Sequence, residues 1–212
     1  MSEPLTPLTD CERDAAAQAF ARIALAAGQA VMDVYAGACV ARAKADSSPV
    51  TEADERAEAV ILEQLSRAFP GVPVVAEESV ARGVTPLCGS RFILVDPLDG
   101  TREFINKRDE FTVNIALVRD RRPAFGLVYA PATEELYVSL GADRCVAGRM
   151  PADPAKCRAD DIKLRPIRAR RVDMGGLIVL ASRSHLDDET KAFIARHNVK
   201  ETRNAGSSLK FC

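Results

Sequence analysis

The chain has 212 residues, 47% of them apolar and 28% charged, with a formal net charge of −1 at pH 7. That length can bury the core of one large or two small domains. The near-neutral charge excludes a globally basic nucleic-acid binder, and no apolar run approaches membrane-spanning length. The start, Met1-Ser2-Glu3-Pro4, lacks the basic region and apolar core of a signal peptide, so a leaderless chain is expected. The 6 cysteines are scattered, with no Cys-x-x-Cys pair. They are expected to be reduced and structural rather than zinc ligands.

Residues 9–36 predict a long packing helix. Thr9 and Glu12 have capping-box spacing, and Ala16, Phe20, Ile23, Ala27, Val31 and Val34 form one apolar stripe. After a polar loop closed by Pro49, a second helix begins at Thr51. Ala57, Val60, Ile61, Leu65 and Ala68 form its apolar face, and Pro70-Gly71 ends it. Thr51 and Asp54 repeat the capping spacing, so the plain reading of Asp54 is a helix cap.

Val72 to Ala76 reads as a short strand that runs into Glu77-Glu78-Ser79. A loop over 80–90 leads to Phe92-Ile93-Leu94-Val95, a buried strand because four consecutive apolar residues leave no face for water. Pro97 should stop strand pairing, and Gly100 permits a tight turn. Asp96 and Asp99 therefore converge at a strand end. Convergent carboxylates repel unless a proton or cation lies between them. Mg²⁺ is held by a few carboxylate and carbonyl oxygens, with water and phosphate in the remaining positions. Acidic pairs are ordinarily solvated surface, but Glu77 also follows a buried strand. Two strand ends delivering carboxylates point to a metal site that handles phosphate. Arg102 to Ile105 reads as one helical turn, whose start near Gly100 and Thr101 favours an anion.

Residues 112–118 alternate with period two. Arg119 to Pro123 is a turn, and strands follow over Ala124–Tyr129, Glu135–Leu140 and Arg144–Ala147, which together predict an antiparallel meander. The Pro-, Asp- and Arg-rich stretch 148–173 marks a boundary. Its cluster Arg165, Arg168, Arg170 and Arg171 reads as a solvated basic loop. Leu177 to Ala181 is another buried strand, ending in Ser182-Arg183-Ser184-His185. A helix over 186–197 and a strand over 199–202 follow. Gly206 to Cys212 then forms a helix start with Lys210, suited to phosphate. The expected fold is α/β, α+β layered. Residues 1–150 supply a helix pair and an antiparallel sheet carrying the metal site, and 151–212 begin an α/β substrate domain.

An aspartyl-nucleophile phosphatase would need Asp-x-Asp-Gly-Thr, but the position of its first Asp is occupied by Pro97. Three stretches instead resemble, in order, the leading motifs of the inositol monophosphatase superfamily: Val50-Thr51-Glu52-Ala53-Asp54, Ala76-Glu77-Glu78-Ser79 and Asp96-Pro97-Leu98-Asp99-Gly100-Thr101. Gly100 to Ile105, Glu110 to Ala116, Ser182 to His185 and Gly206 to Cys212 resemble its branch of CysQ-type 3′(2′),5′-bisphosphate nucleotidases.

The resemblance implies a sugar-phosphatase-like α-β-α-β-α sandwich with an incomplete second domain. It implies two or three Mg²⁺ ions, one on Glu77, Asp96 and the Leu98 carbonyl and another on Asp96 and Asp99. Glu77, Thr101 and Asp54 would activate water, and Leu98, Asp99, Gly100 and Thr101 would meet the scissile phosphate. Ser184, His185, Ser208 and Lys210 would bind the nucleotide and its second phosphate. The family also carries a later Trp-Asp-type metal-ligand motif. This sequence holds no tryptophan, so a chain truncated at its C-terminus, with a weakened second metal position, is expected.

The implied activity is Mg²⁺-dependent removal of the 3′-phosphate of adenosine 3′,5′-bisphosphate, or of its sulfated relative, by metal-activated water. The implied setting is sulfur assimilation, in the cytoplasm or peripheral at the inner face of the membrane, with inhibition by Li⁺. The partner is a small nucleotide, not a nucleic acid, and no transmembrane segment is expected. The alternatives are an inositol monophosphatase and a non-catalytic nucleotide- or phosphate-binding fragment.

Overall fold

The apolar stripes determine how the helices lie. The computed structural model describes residues 10–37, 41–43, 49–141, 144–153, 162–172, 174–184 and 186–212. Helix α1 (Asp10–Tyr35) and helix α2 (Glu52–Ala68) pack together over one face of a sheet. The α1 stripe residues Phe20, Ile23, Ala27 and Val31 are buried with Ala57, Ile61 and Leu65 of α2. Each of these larger side chains contributes roughly 1.5–3 kcal/mol by leaving water. The expected cap residue Thr9 lies outside the described residues. Strand β1 (Ala41–Ala43) pairs antiparallel with β2 (Pro49–Thr51), which feeds directly into α2.

The main sheet has seven strands in sequence order: β3 (Val74–Ala76), β4 (Arg91–Asp99), β5 (Thr112–Arg119), β6 (Arg122–Ala130), β7 (Glu135–Ser139), β8 (Cys145–Arg149) and β9 (Arg165–Ile167). From β4 onward it is the expected antiparallel meander. Two short helices link its first strands: α3 (Glu77–Ala81) follows β3, and α4 (Thr101–Ile105) follows β4. Alternate residues on β4 to β7, among them Ile93, Val95, Val113, Ile115, Phe125, Leu127, Leu136 and Val138, face the helices as one core. The remaining residues form a small α/β unit, in which β10 (Leu177–Ser182) and β11 (Val199–Ala205) pair in parallel with α5 (Asp188–Ile194) between them. Ser208–Phe211 closes the chain as a single 3-10 turn rather than an α-helix start.

The sheet departs from the sequence expectations at four points. It is mixed, not wholly antiparallel, because β3 pairs with β4 in parallel, Ala76 opposite Val95. The α3 connection makes this possible by carrying the chain back to the start of β4. Strand β4 does not end at Pro97. It continues to Asp99 through a one-residue bulge, with Asp96 opposite Asn114 and Asp99 opposite Thr112. The turn is only Asp120-Arg121, both at positive φ, so Pro123 lies within β6. Its missing N–H is tolerated because β7 pairs with β6 only from Gly126 onward. Finally, Arg165–Ile167, expected in a loop, adds a seventh strand from beyond residue 150.

At Gly28 the α1 backbone lies close against β6. A Cβ there would stand 2.4 Å from Cε1 of Tyr129. That ring is fully buried, and its hydroxyl donates to the Met150 carbonyl at 2.7 Å, so it cannot swing aside. Gly28→Ala is expected to lower stability by about 1–3 kcal/mol through overpacking. Denaturant unfolding would measure the loss, and an unchanged midpoint would contradict the close packing.

Candidate active site

Parallel pairing places the ends of β3 and β4 on the same side. With Ala76 opposite Val95, the next residues, Glu77 and Asp96, are neighbours. The bulge then returns Asp99 to the face of Asp96, because their partners Asn114 and Thr112 are two residues apart on β5. Gly100 caps α4 at φ 92°, where a side chain would be strained. A Cβ there would also meet the Glu110 carbonyl at 3.0 Å. Thr101 is thereby turned back toward the strand end.

The result is a cleft of about 220 Å³ whose wall includes Glu77, Asp96, Leu98, Asp99, Gly100, Thr101 and Lys210. Pro49, Arg102, Glu103, Ser182 and Ser207 complete it. A larger groove of about 570 Å³ lies over β7 to β9, lined by Glu135, Tyr137, Arg149 and Lys163 among others. It contains none of the expected site residues and no converging carboxylates.

Asp54 is both a cap and more than a cap. Its Oδ2 accepts from Thr51 N at 2.8 Å and Thr51 Oγ1 at 2.7 Å, while Thr51 Oγ1 accepts from Ala53 N at 3.1 Å. Its Oδ1 accepts from the Thr101 hydroxyl at 3.1 Å. At 1% exposure it does not reach the cleft surface itself and meets it only through Thr101. Burial raises its pKa, with hydrogen bonds from Thr51 and Thr101 opposing. The Thr101 hydroxyl also lies 3.2 Å from the Leu98 carbonyl, so the two acceptors share one proton.

Asp96 is the most perturbed group. Burial first, then the charges of Glu77 and Asp99 and a hydrogen bond shared with Glu77, push its carboxyl up to about 9, against a hydrogen bond from Leu98 N. Burial also raises Asp99, but the Ser208 amide, the Lys210 ammonium and the Asn114 side chain all favour its charged form, while Glu77 adds repulsion. Among the described residues, no group of three or more His, Cys, Asp and Glu side chains is arranged to hold a metal ion as it stands. The donor chemistry nonetheless fits Mg²⁺, which commonly takes one or two carboxylates and keeps several waters. Two of these carboxylates already share a hydrogen bond and repel a third, the condition a divalent cation relieves.

The expected nucleotide contacts divide. Lys210 lines the cleft and donates to the Ser207 carbonyl. Ser208 stands behind it, its hydroxyl bonded to Thr112 Oγ1 and Asn114 Oδ1, each at 2.9 Å. Ser184 spends its hydroxyl on Glu103. Both serines thus support the wall rather than lining it. His185 lies outside the described residues.

Three supporting residues were not singled out from the sequence. Asn114 connects Asp99 to Ser208. Glu103 is 3% exposed and holds Ser184. Glu110 accepts from Arg183 Nε and Nη2, both at 2.8 Å, and from Gly206 N at 2.9 Å, fastening the small α/β unit to the sheet. The Arg183 hydrogen bond holds the Glu110 carboxyl below its usual range. The available signal was an acid two residues before a strand and another beside the apolar pair Phe104-Ile105 of a helical turn.

The Asp96 shift has a measurable sign. Its folded pKa lies above the ordinary value of 3.8, so between these limits the folded, cation-free chain holds more protons than the unfolded one. Stability then falls as pH rises through that window. In EDTA, Tm should be higher at pH 6 than at pH 9, and Asp96→Asn should remove most of that slope. A parent profile with no such slope would contradict the carboxylate cluster.

The model of the inositol monophosphatase family matches residues 12–212. The Salmonella typhimurium protein named 3′(2′),5′-bisphosphate nucleotidase CysQ is 40% identical over 194 residues, covering 90% of this chain and 73% of that protein. The protein of the same name from Escherichia coli K12 is 39% identical over 193 residues, covering 90% and 73%. The crystal structure of CysQ from Bacteroides thetaiotaomicron superposes with a TM-score of 0.70 at 33% identity, covering 93% of this chain and 74% of that one. With the family model matched over residues 12–212 and the fold shared with that structure, the chain belongs to the inositol monophosphatase family.

Proposed function

We propose that this chain is a Mg²⁺-dependent phosphatase that hydrolyses the 3′-phosphate of adenosine 3′,5′-bisphosphate or a close relative. The observation that carries this reading is the single cleft in which Glu77, Asp96 and Asp99 meet Thr101 and Lys210. Similarity to proteins named as bisphosphate nucleotidases supports the substrate class. A cytoplasmic place in sulfur assimilation belongs to the same proposal. Among the described residues, no helix is long and apolar enough to cross a membrane.

Each residue has a defined task. Glu77, Asp96 and the Leu98 carbonyl would hold one Mg²⁺, and Asp96 with Asp99 a second. Bound Mg²⁺ supplies charge neutralisation at the phosphate and a lowered pKa for water. Thr101 accepts a proton from the attacking water as its own hydroxyl proton passes to Asp54 Oδ1, 3.1 Å away. Burial raises the Asp54 carboxyl, making it a better acceptor than an exposed aspartate. Lys210 has donors beyond the one given to Ser207, and these can meet phosphate oxygens. Asn114 and the Ser208 amide orient Asp99 and favour its charged form against the effect of burial.

Phosphate release from adenosine 3′,5′-bisphosphate and from inositol 1-phosphate, each with Mg²⁺ or EDTA, tests the proposal. Mg²⁺-dependent turnover with a higher kcat/KM for the nucleotide is expected. Faster turnover of inositol phosphate would assign the chain to another branch, and nucleotide binding without turnover would make it a binding module. Asp99→Asn should lower kcat/KM on the order of 100-fold while shifting Tm only slightly. Near-normal turnover at saturating Mg²⁺ would contradict the ligand assignment.

A further inference from the structure

Glu58 lies one helical turn beyond Asp54 on α2, and its side chain is 2% exposed. It does not line the cleft. A carboxylate in a core needs partners for its oxygens, and Glu58 finds them on or next to α3. Oε2 accepts from Glu78 N at 2.8 Å and Ser79 N at 3.2 Å. Oε1 accepts from Ser79 Oγ at 2.8 Å and Arg82 Nη2 at 2.7 Å.

α3 needs this help. It has five residues, and its N-cap, Ala76, makes no side-chain cap. A helix that short does not sustain itself, and the N–H groups of its first turn have no acceptor within it. Glu58 supplies the missing cap from another helix. Glu77 sits between the two fixed points. On one side Ala76 is held to Val95 by strand pairing, and on the other Glu78 and Ser79 are held by Glu58. The Glu77 side chain is exposed, so its backbone sets where the carboxylate meets Asp96.

We propose that Glu58 is a positioning residue for the metal site: by capping α3 from α2 it presents Glu77 to Asp96 and so sets the affinity for a divalent cation. This rests on Glu77 and Asp96 being metal ligands, as proposed above. Glu58→Gln keeps the size of the side chain but turns one acceptor oxygen into an NH₂ donor, leaving either the α3 amides or Arg82 without its acceptor.

Mn²⁺ binding, followed by loss of the free-ion electron paramagnetic resonance signal, reads the effect without requiring turnover. The parent chain should bind and Asp96→Asn should lose binding. Failure of either overturns the metal reading itself, and the Glu58 proposal with it. Given both, Glu58→Gln should keep its circular dichroism spectrum and raise the Mn²⁺ dissociation constant about tenfold or more, the scale of lost support around metal ligands. The Mg²⁺ half-saturation of phosphate release should move the same way and be recovered by excess Mg²⁺. A folded Glu58→Gln chain with lower Tm and unchanged Mn²⁺ affinity would reduce Glu58 to a stabilising residue and overturn the proposal. If Glu58→Gln does not fold, Ser79→Ala removes one of the four bonds and leaves the charge paired. A smaller weakening of Mn²⁺ binding is then expected, and unchanged affinity overturns the proposal.

Discussion

Strands that run the same way end on the same side of a sheet, and the site depends on that constraint. β3 and β4 pair in parallel at the edge of an otherwise antiparallel meander. Were β3 antiparallel, Glu77 would leave the far end of β4 and could not approach Asp96. The bulge at Pro97-Leu98 adds the second half of the arrangement by keeping Asp99 on the Asp96 face. A short parallel pairing and one extra residue thus convert two surface-type acidic sequences into a shared cluster. The helices α1 and α2 pack on the alternate residues of these strands that form the core, Ile93 and Val95 of β4 among them.

That cluster works against folding until its charge is answered. Asp96 is half-buried beside two other carboxylates, and its raised pKa expresses first the loss of water around it and then their repulsion. The same free energy becomes available to a divalent cation, since relief of repulsion favours binding. Asp99 is treated differently by its surroundings, with an amide, an ammonium and a side-chain amide all favouring its anion. Two of those donors, at Ser208 and Lys210, come from the end of the chain. The Arg183–Glu110 pair and the Glu110–Gly206 hydrogen bond bring that end to the sheet. The cleft is therefore assembled from both parts of the chain.

Much of this was legible in the sequence. Stripes at three- and four-residue spacing locate α1 and α2, and period-two alternation locates β5. The run before Asp96, with its proline and glycine, locates the turn where Asp96 and Asp99 converge. Strand direction was not legible, because the three residues of β3 carry no pattern that distinguishes parallel from antiparallel pairing. Nor was the bulge, since Pro97 reads as a strand end when it interrupts pairing only locally. Asp54 reads as a cap from its spacing to Thr51, and its bond to Thr101 spans 47 positions that no local rule relates. Glu58 was visible in principle, as an acid set among Ala57, Ile61 and Leu65, but the pattern of an apolar face hides a polar member. Ser184 and Ser208 have the right chemistry for a ligand, yet in the fold their hydroxyls are taken by Glu103 and by Asn114 with Thr112.

The central claim is that the ends of β3 and β4 form a divalent-cation site. Anomalous diffraction from crystals soaked in Mn²⁺ tests it most directly. A peak bounded by Glu77, Asp96 and the Leu98 carbonyl, lost in Asp96→Asn crystals, is the expected result. Ordered crystals with no peak there, or with Mn²⁺ bound only elsewhere on the molecule, would contradict it.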